Sequence, residues 1–317
     1  MMKMKLGMIR PTYPNEKRVA LLPEHVKAFE NELVVEHGFG EYLDIPDEAY
    51  AAVGCTLASR EEVFASCEAI FSLKLIQPHD YSLLRKGQMI VGWTHPEVSG
   101  LGFMEDVGFE KELMIVDLDN ICPTIQLNKK KIQIPWIPMN FVHRNSFIAG
   151  YAATQHAFMS FGKLADSNQN IAILGSGNVS QGAFSAVTKM GASQVRMYYR
   201  KTMNQLKDEL DEVDVLINGI ELDAKHGHLV TKEELAKMKP NSLIIDAAAD
   251  ADRTIEGTDY TTIDDPLYKK DGLYYYCVAN APAVLYREAS YAISKSFSKW
   301  VYQHDLKMMY TLAKKIK

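Results

Sequence analysis

Short apolar runs punctuated by glycine, proline and charge recur along this chain, and their spacing predicts strands alternating with helices. Residues 4–8 and 32–36 read as strands, and 69–75 and 89–93 are the strongest β-like runs of the first half. Residues 23–31 read as a helix after Pro23, and 146–163 as a long one. Four further strand-like runs follow at 170–174, 194–199, 213–219 and 242–250. The last stretch, 288–317, is helical in pattern, with Ala292, Ile293, Phe297, Trp300 and Val301 near helical spacing. Asn128-Lys129-Lys130-Lys131 reads as a solvated hairpin tip. This alternation predicts an α/β fold, and 317 residues exceed one ordinary core. The expected division is a doubly wound (Rossmann) dinucleotide-binding domain at 147–280 and a second α/β substrate (catalytic) domain at 1–146 and 281–317, with a cleft between them. The tail is expected to leave the dinucleotide domain and pack on the first one.

The run at 170–174 passes through Gly175-Ser176-Gly177 directly into the helical pattern Asn178-Val179-Ser180. Gly175 permits the tight turn, and Gly177 lets a pyrophosphate approach the backbone. The next helix offers its unpaired N–H groups to that anion. Ser180 stands where a third glycine is usual, and Gly182 follows. Residues 175–180 are therefore assigned to a dinucleotide, together with Asn218 at the end of a later strand, because ligands lie at the carboxyl ends of parallel strands. An NAD site places Asp or Glu at the end of the second strand, on the ribose 2′-hydroxyl. This chain has Tyr198-Tyr199-Arg200-Lys201 there. A guanidinium grips a phosphate that a carboxylate would repel, so Arg200 and Lys201 predict NADPH/NADP+.

Composition narrows the class. The formal net charge of −5 supplies no basic field for nucleic acid. No apolar run reaches the roughly 18–20 residues that span a bilayer. The opening segment turns polar at Arg10-Pro11, unlike a secretory signal. Four scattered cysteines without a Cys-x-x-Cys pair predict reduced thiols, a cytoplasmic protein and no structural zinc. His226 and His228 have no carboxylate or cysteine spaced to complete a metal site, so a solvated loop is expected.

Candidate reactive groups fall outside the dinucleotide segment. Arg18 follows the first strand, Lys74 sits inside an apolar run, and His95 ends another before Pro96. Together they could supply a carboxylate anchor, a carbonyl-polarising cation and a proton-transfer group. Each also has a bland reading: a surface arginine, an outward lysine, a satisfied turn histidine.

Ordered along nearly the whole chain, these blocks resemble the alanine dehydrogenase family, with the saccharopine dehydrogenases and the amino-terminal part of nicotinamide nucleotide transhydrogenases. The matching runs are Lys17-Arg18-Val19-Ala20-Leu21, the Lys74 and His95 strands, Phe147-Ile148-Ala149-Gly150, the Gly175 loop, Asp246-Ala247-Ala248-Ala249-Asp250 and Cys277-Val278-Ala279-Asn280-Ala281-Pro282. Phe71-Ser72-Leu73-Lys74-Leu75, Gly92-Trp93-Thr94-His95-Pro96 and Met197-Tyr198-Tyr199-Arg200-Lys201 are most similar to the branch that reductively condenses pyruvate with the side-chain amine of L-ornithine or L-lysine, using NADPH. The resemblance implies that Arg18 and Lys74 bind pyruvate and that His95 is the proton donor. It implies that Asp250 lies near the nicotinamide, that Asn280 contacts cofactor and substrate, and that the chain forms a homo-oligomer, a tetramer. Arg144 and Asp252 are candidates for the amino-acid head of the second substrate. The chain departs from NAD-linked alanine dehydrogenases, with Ala251-Asp252-Arg253 where a glycine pair is usual. A saccharopine-type dehydrogenase using 2-oxoglutarate, an alanine dehydrogenase and an inactive NADPH-binding relative remain the alternatives.

Overall fold

The computed structural model describes residues 3–119, 121–222 and 227–316. It divides into two compact units, Met1–Val142 with Tyr286–Lys317, and His143–Leu285. Each is built on a largely parallel sheet.

The first unit carries β1 (Lys5–Met8), β2 (Glu32–Glu36), β3 (Thr56–Ala58), β4 (Ala69–Ser72), β5 (Met89–Gly92), β6 (Met114–Asp117), β7 (Thr124–Leu127) and β8 (Lys130–Gln133). Their order is β3-β2-β1-β4-β5-β6-β7-β8. Strands β1 to β6 are parallel, and the hairpin β7–β8 closes one side antiparallel. Period-two alternation sorts the strand residues onto two faces. Leu6, Met8, Leu33, Val35, Phe71, Met89, Val91, Met114 and Val116 enter one apolar cluster, while Val34, Ile70, Ile90 and Ile115 enter another. The C-terminal helices Tyr286–Phe297 and Leu306–Ala313 bury Ile293, Phe297, Leu306 and Met309 in the first of these clusters. Chain order reverses between β1 and β4, and in a doubly wound sheet that reversal opens a crevice at the carboxyl ends.

The second unit carries β9 (Ile171–Leu174), β10 (Val195–Tyr198), β11 (Val215–Asn218), β12 (Leu243–Asp246), β13 (Tyr268–Lys270) and β14 (Leu273–Tyr276), ordered β10-β9-β11-β12-β14-β13. Only β13 runs antiparallel. The two-domain α/β expectation is borne out, and the reversal here falls between β9 and β11, directly at the Gly175 loop.

Several local expectations change. Residues 23–31 hold only the 3-10 turn Pro23–His25, whose start has no side-chain cap and whose end, Val26, is extended. Tertiary contacts take over there: Phe29 is buried, and Asn31 spends its amide on Tyr302 and His304 carbonyls and on the Leu306 N–H. Strand β4 stops at Ser72, so Lys74 lies beyond the strand, at its tip. The long helix runs His143–Ser160. The helices Asp47–Ala52 and Arg60–Ser66 were not legible as separate elements because each spans two turns or fewer. No helix among the described residues is long and apolar enough to cross a membrane.

Candidate active site and dinucleotide loop

The carboxyl ends of four neighbouring strands, β1, β4, β5 and β6, deliver the chemistry of the first unit. The segment after β1 brings Glu16 and Arg18, both buried. The Arg18 guanidinium forks onto Glu16, Nε to Oε1 at 2.7 Å and Nη2 to Oε2 at 2.6 Å, and lies 5.0 Å over the Trp93 ring. Sequence reasoning gave this fork to a substrate carboxylate; in the structure one edge of it belongs to Glu16. Two full charges buried together need this geometry to offset desolvation. Burial pushes the Glu16 carboxyl up, and Arg18, with help from Lys74, outweighs it and holds the carboxyl below its usual range.

Lys74, past β4, sits 5.5 Å over the Tyr13 ring. Burial and the Arg18 charge both push its ammonium down, against Glu16 and Asp119. His95 lies three residues past β5. Its φ of +44° is rare for a residue with a side chain. Gly92 makes the preceding turn possible: at φ +146° a Cβ there would stand 1.8 Å from the Ser72 carbonyl oxygen. His95 Nε2 is paired with Asp119 Oδ2. Burial works against the imidazolium, but the Asp119 hydrogen bond and charge prevail and push the pKa up to about 9. That is well above the ordinary histidine value of 6.5. At neutral pH His95 is charged and has a proton to give. Asp119 in turn is held below the carboxylate range, its burial overcome by His95, Lys74 and Arg18. Asp119 was missed from sequence. Its signal was the acidic pair Asp117-Leu118-Asp119 ending a buried strand beside the His95 strand.

In the second unit, Gly175 follows β9 at φ +93°, and a Cβ there would meet Ile220 at 2.7 Å. Its N–H donates to the Tyr198 carbonyl. Gly177 differs. Its φ of −72° suits any residue, and a Cβ built on it meets no protein atom within 4 Å. Neither strain nor internal packing requires glycine there, which fits a position approached by a ligand. The helix Asn178–Met190 starts at Gly177 without a side-chain cap, leaving its first N–H groups for an anion. Ser180 donates to the Leu174 carbonyl at 2.8 Å. The close-packing task of a third glycine falls to Gly182, where a Cβ would stand 2.0 Å from the Phe147 carbonyl oxygen. Arg200 and Lys201 are exposed past β10 in a turn closed by Tyr199 and Thr202, with no ion pair among the described residues.

Asn218 is assigned to the dinucleotide from its place at a strand end. It is wholly buried, its amide spent on the Ile220 carbonyl and Asp246 and its oxygen on the Ile220 N–H. It braces the β11–β12 ends instead of lining a surface. Asp250 pairs with Arg253 at 3.2 Å. Asn280 is buried, its carbonyl accepting from the Ala283 N–H. Arg144 lies over Phe147, and Asp252 accepts the Gly257 N–H within its own loop. Of the two loop histidines, His226 lies outside the described residues, and His228 bonds the Asp252 carbonyl at 3.0 Å. No group of three or more metal-ligating side chains occurs among the described residues.

Comparison with known proteins places this geometry. Residues 7–121 match the alanine dehydrogenase/PNT N-terminal domain, and residues 178–315 the alanine dehydrogenase/PNT C-terminal domain. The chain is 59% identical over 303 residues to the N(5)-(carboxyethyl)ornithine synthase of Clostridium botulinum, covering 96% of this chain and 95% of that one. The chain belongs to the N(5)-(carboxyethyl)ornithine synthase family. The Lactococcus lactis member is 47% identical, across 95% of this chain and 97% of its own. Among solved structures, an L-alanine dehydrogenase shares the fold at a TM-score of 0.78 and 19% identity, covering 97% of this chain and 92% of that one.

Membership of the N(5)-(carboxyethyl)ornithine synthase family makes the chain an oxidoreductase with a dinucleotide-binding fold and a nicotinamide cofactor. The C-terminal match crosses the unit boundary, since Tyr286–Lys317 folds into the first unit.

Proposed function

We propose that this chain uses NADPH to condense pyruvate reductively with the side-chain amine of L-ornithine or L-lysine, giving an N-(1-carboxyethyl) amino acid. The observation that carries the reading is the cluster of Arg18, Lys74, His95 and Asp119 at neighbouring strand ends. It combines positive charge for a 2-oxo acid with a charged proton donor. The name of the 59% identical relative, a synthase of N(5)-(carboxyethyl)ornithine, is that of an enzyme with a product of this kind.

Each residue then has a task. Arg18, oriented by Glu16, and Lys74 bind the pyruvate carboxylate and offset charge on its keto oxygen. The neutral amine attacks the keto carbon, and the amine proton and the carbonyl oxygen leave as water. His95 donates the proton that the departing hydroxyl needs, and Asp119 steadies the imidazolium before the transfer. Asp250 and Asn280 orient the nicotinamide and the cationic imine, and Arg144 and Asp252 receive the amino-acid head. Residues 175–180 hold the pyrophosphate, and Arg200 and Lys201 the 2′-phosphate. The bound cofactor supplies the hydride that reduces the imine carbon. In this reading the unit Met1–Val142 with Tyr286–Lys317 supplies the pyruvate-binding and proton-transfer residues, and His143–Leu285 supplies the cofactor residues and the candidates for the amino-acid head.

We place the enzyme in the cytoplasm as a homotetramer. Its four cysteines are free, which suits a reducing compartment, and sedimentation analysis tests the tetramer. The function is tested by following NADPH oxidation with pyruvate and a panel of ammonia, ornithine and lysine, with 2-oxoglutarate as the control acid. Turnover with pyruvate plus ornithine or lysine is expected. Turnover with ammonia alone, or only with 2-oxoglutarate, overturns the reading.

A further inference from the structure

The proton-donor pair stands on two different loops, and one buried side chain touches both. Asp117 is the last residue of β6, opposite Gly92 of β5, and is 1% exposed. Its carboxylate accepts the backbone N–H of Asp119, at 3.3 Å, and the backbone N–H of His95. The Leu118 N–H donates to the Gly92 carbonyl at 2.9 Å, tying the same two loops where they leave the sheet. On its far side the His95 carbonyl accepts from Val98 at 3.0 Å and from Gly100 at 2.8 Å. Gly100 can approach because it lacks a Cβ, which would stand 1.9 Å from the Thr94 carbonyl oxygen.

We propose that Asp117 is a positioning residue that clamps the His95 and Asp119 backbones together and so sets the geometry of the proton-donor pair.

Three observations support the clamp. The left-handed backbone of His95 costs energy for a residue with a Cβ, and persists only where its surroundings fix it. A buried carboxylate is unfavourable unless its oxygens are satisfied, and two converging N–H groups satisfy it here. The groups facing Asp117 are Asp119 and His95, with Lys74 and Arg18 beyond them; burial and the Asp119 charge raise its pKa to about 6, against the His95 charge and the two N–H bonds. The clamp thus rests on a group that titrates while His95 stays charged.

The inference deepens the proposed reaction, and its test has an arm independent of turnover. In the wild-type protein, NMR titration of the backbone amides should show His95 and Asp119 shifting together, with a common midpoint near the Asp117 value of about 6. In Asp117→Asn one N–H loses its acceptor and the nearby negative charge goes. The His95 ring should then titrate lower by about half a pH unit or more. In the reductive direction kcat should fall by about tenfold, the factor that one lost buried hydrogen bond carries. NADPH affinity should hold, and the alkaline limb of the pH profile should move down with the His95 titration. Uncorrelated amide shifts in the wild type, or a His95 titration unmoved in a folded Asp117→Asn protein, overturn the clamp. Failure of pyruvate and amines to support NADPH oxidation would overturn the reaction and leave the NMR result to decide the clamp.

Discussion

Replacing Asp119 with asparagine separates a proton donor tuned by its partner from a histidine that merely sits in a turn. In the structure Asp119 raises the His95 pKa from 6.5 to about 9 by hydrogen bond and charge, against burial. Without that carboxylate, burial, the largest influence, and the Lys74 charge oppose the Asp117 charge alone and are expected to leave His95 at or below its ordinary 6.5. At about pH 7.5 the charged fraction is about 97% in the wild type and about 9% or less in Asp119→Asn, a loss of about tenfold. At about pH 6 the two fractions differ by only about 1.3-fold for a mutant pKa of 6.5. The deficit of the mutant in reductive condensation should therefore be large at neutral pH and nearly vanish in acid. The alkaline limb should move from about 9 toward 6.5. Stability follows the same sign. A raised histidine pKa stabilises the fold fully below 6.5 and ceases to do so as pH rises through about 9. The melting-temperature gap between wild type and mutant should thus be present at pH 6 and shrink above pH 9. Initial rates of NADPH oxidation across that range, with parallel melting curves, provide the assay. A deficit equal at pH 6 and 8, or an unmoved alkaline limb, would refute the assignment of His95 as a donor tuned by Asp119.

Three further outcomes are expected. Arg200→Ala should reduce the preference for NADPH over NADH by about tenfold to a hundredfold, the range of a charge-assisted phosphate contact, and equal use of both cofactors by the wild type would contradict the assignment. Arg18→Lys cannot reproduce the guanidinium fork, so it should raise the pyruvate KM and, by leaving the buried Glu16 partly unsatisfied, lower the melting temperature; an unchanged KM would remove Arg18 from the substrate site. Gly177→Ala should leave the melting temperature unchanged and weaken dinucleotide binding in calorimetry. Gly150→Ala should instead destabilise by about 1–3 kcal/mol or more, because its Cβ would stand 1.8 Å from the Val179 carbonyl oxygen, and equal melting temperatures for the two would defeat the distinction.

The sequence alone determined the fold class and the strand–glycine–helix turn proposed to hold the dinucleotide. Both are written locally: an apolar strand, Gly175 and Gly177 in the turn, a helix immediately after, and bases instead of an acid at Arg200 and Lys201. Short apolar runs likewise placed the strands β2, β5 and β9 within a residue or so, since buried parallel strands are continuous apolar segments. Local pattern failed where contacts distant in sequence decide conformation. The helix expected at 23–31 gave way to burial of Phe29 and the bonds of Asn31 to the C-terminal segment. Arg18, Lys74 and His95 were legible as unusual charges near strand ends, but their partners were not. Glu16 lies two residues from Arg18, yet only the folded segment turns both inward. Asp119 meets His95 because parallel pairing of β5 and β6 brings together two strand ends that lie far apart along the chain. Asn218 shows the converse: position at a strand end suggested a ligand, and the tertiary structure spent its amide on Ile220 and Asp246. Strand and turn identity follow from short-range sterics and periodic burial, so sequence carries them. The protonation state of His95 follows from the charges and low dielectric around it, which exist only once the chain is folded.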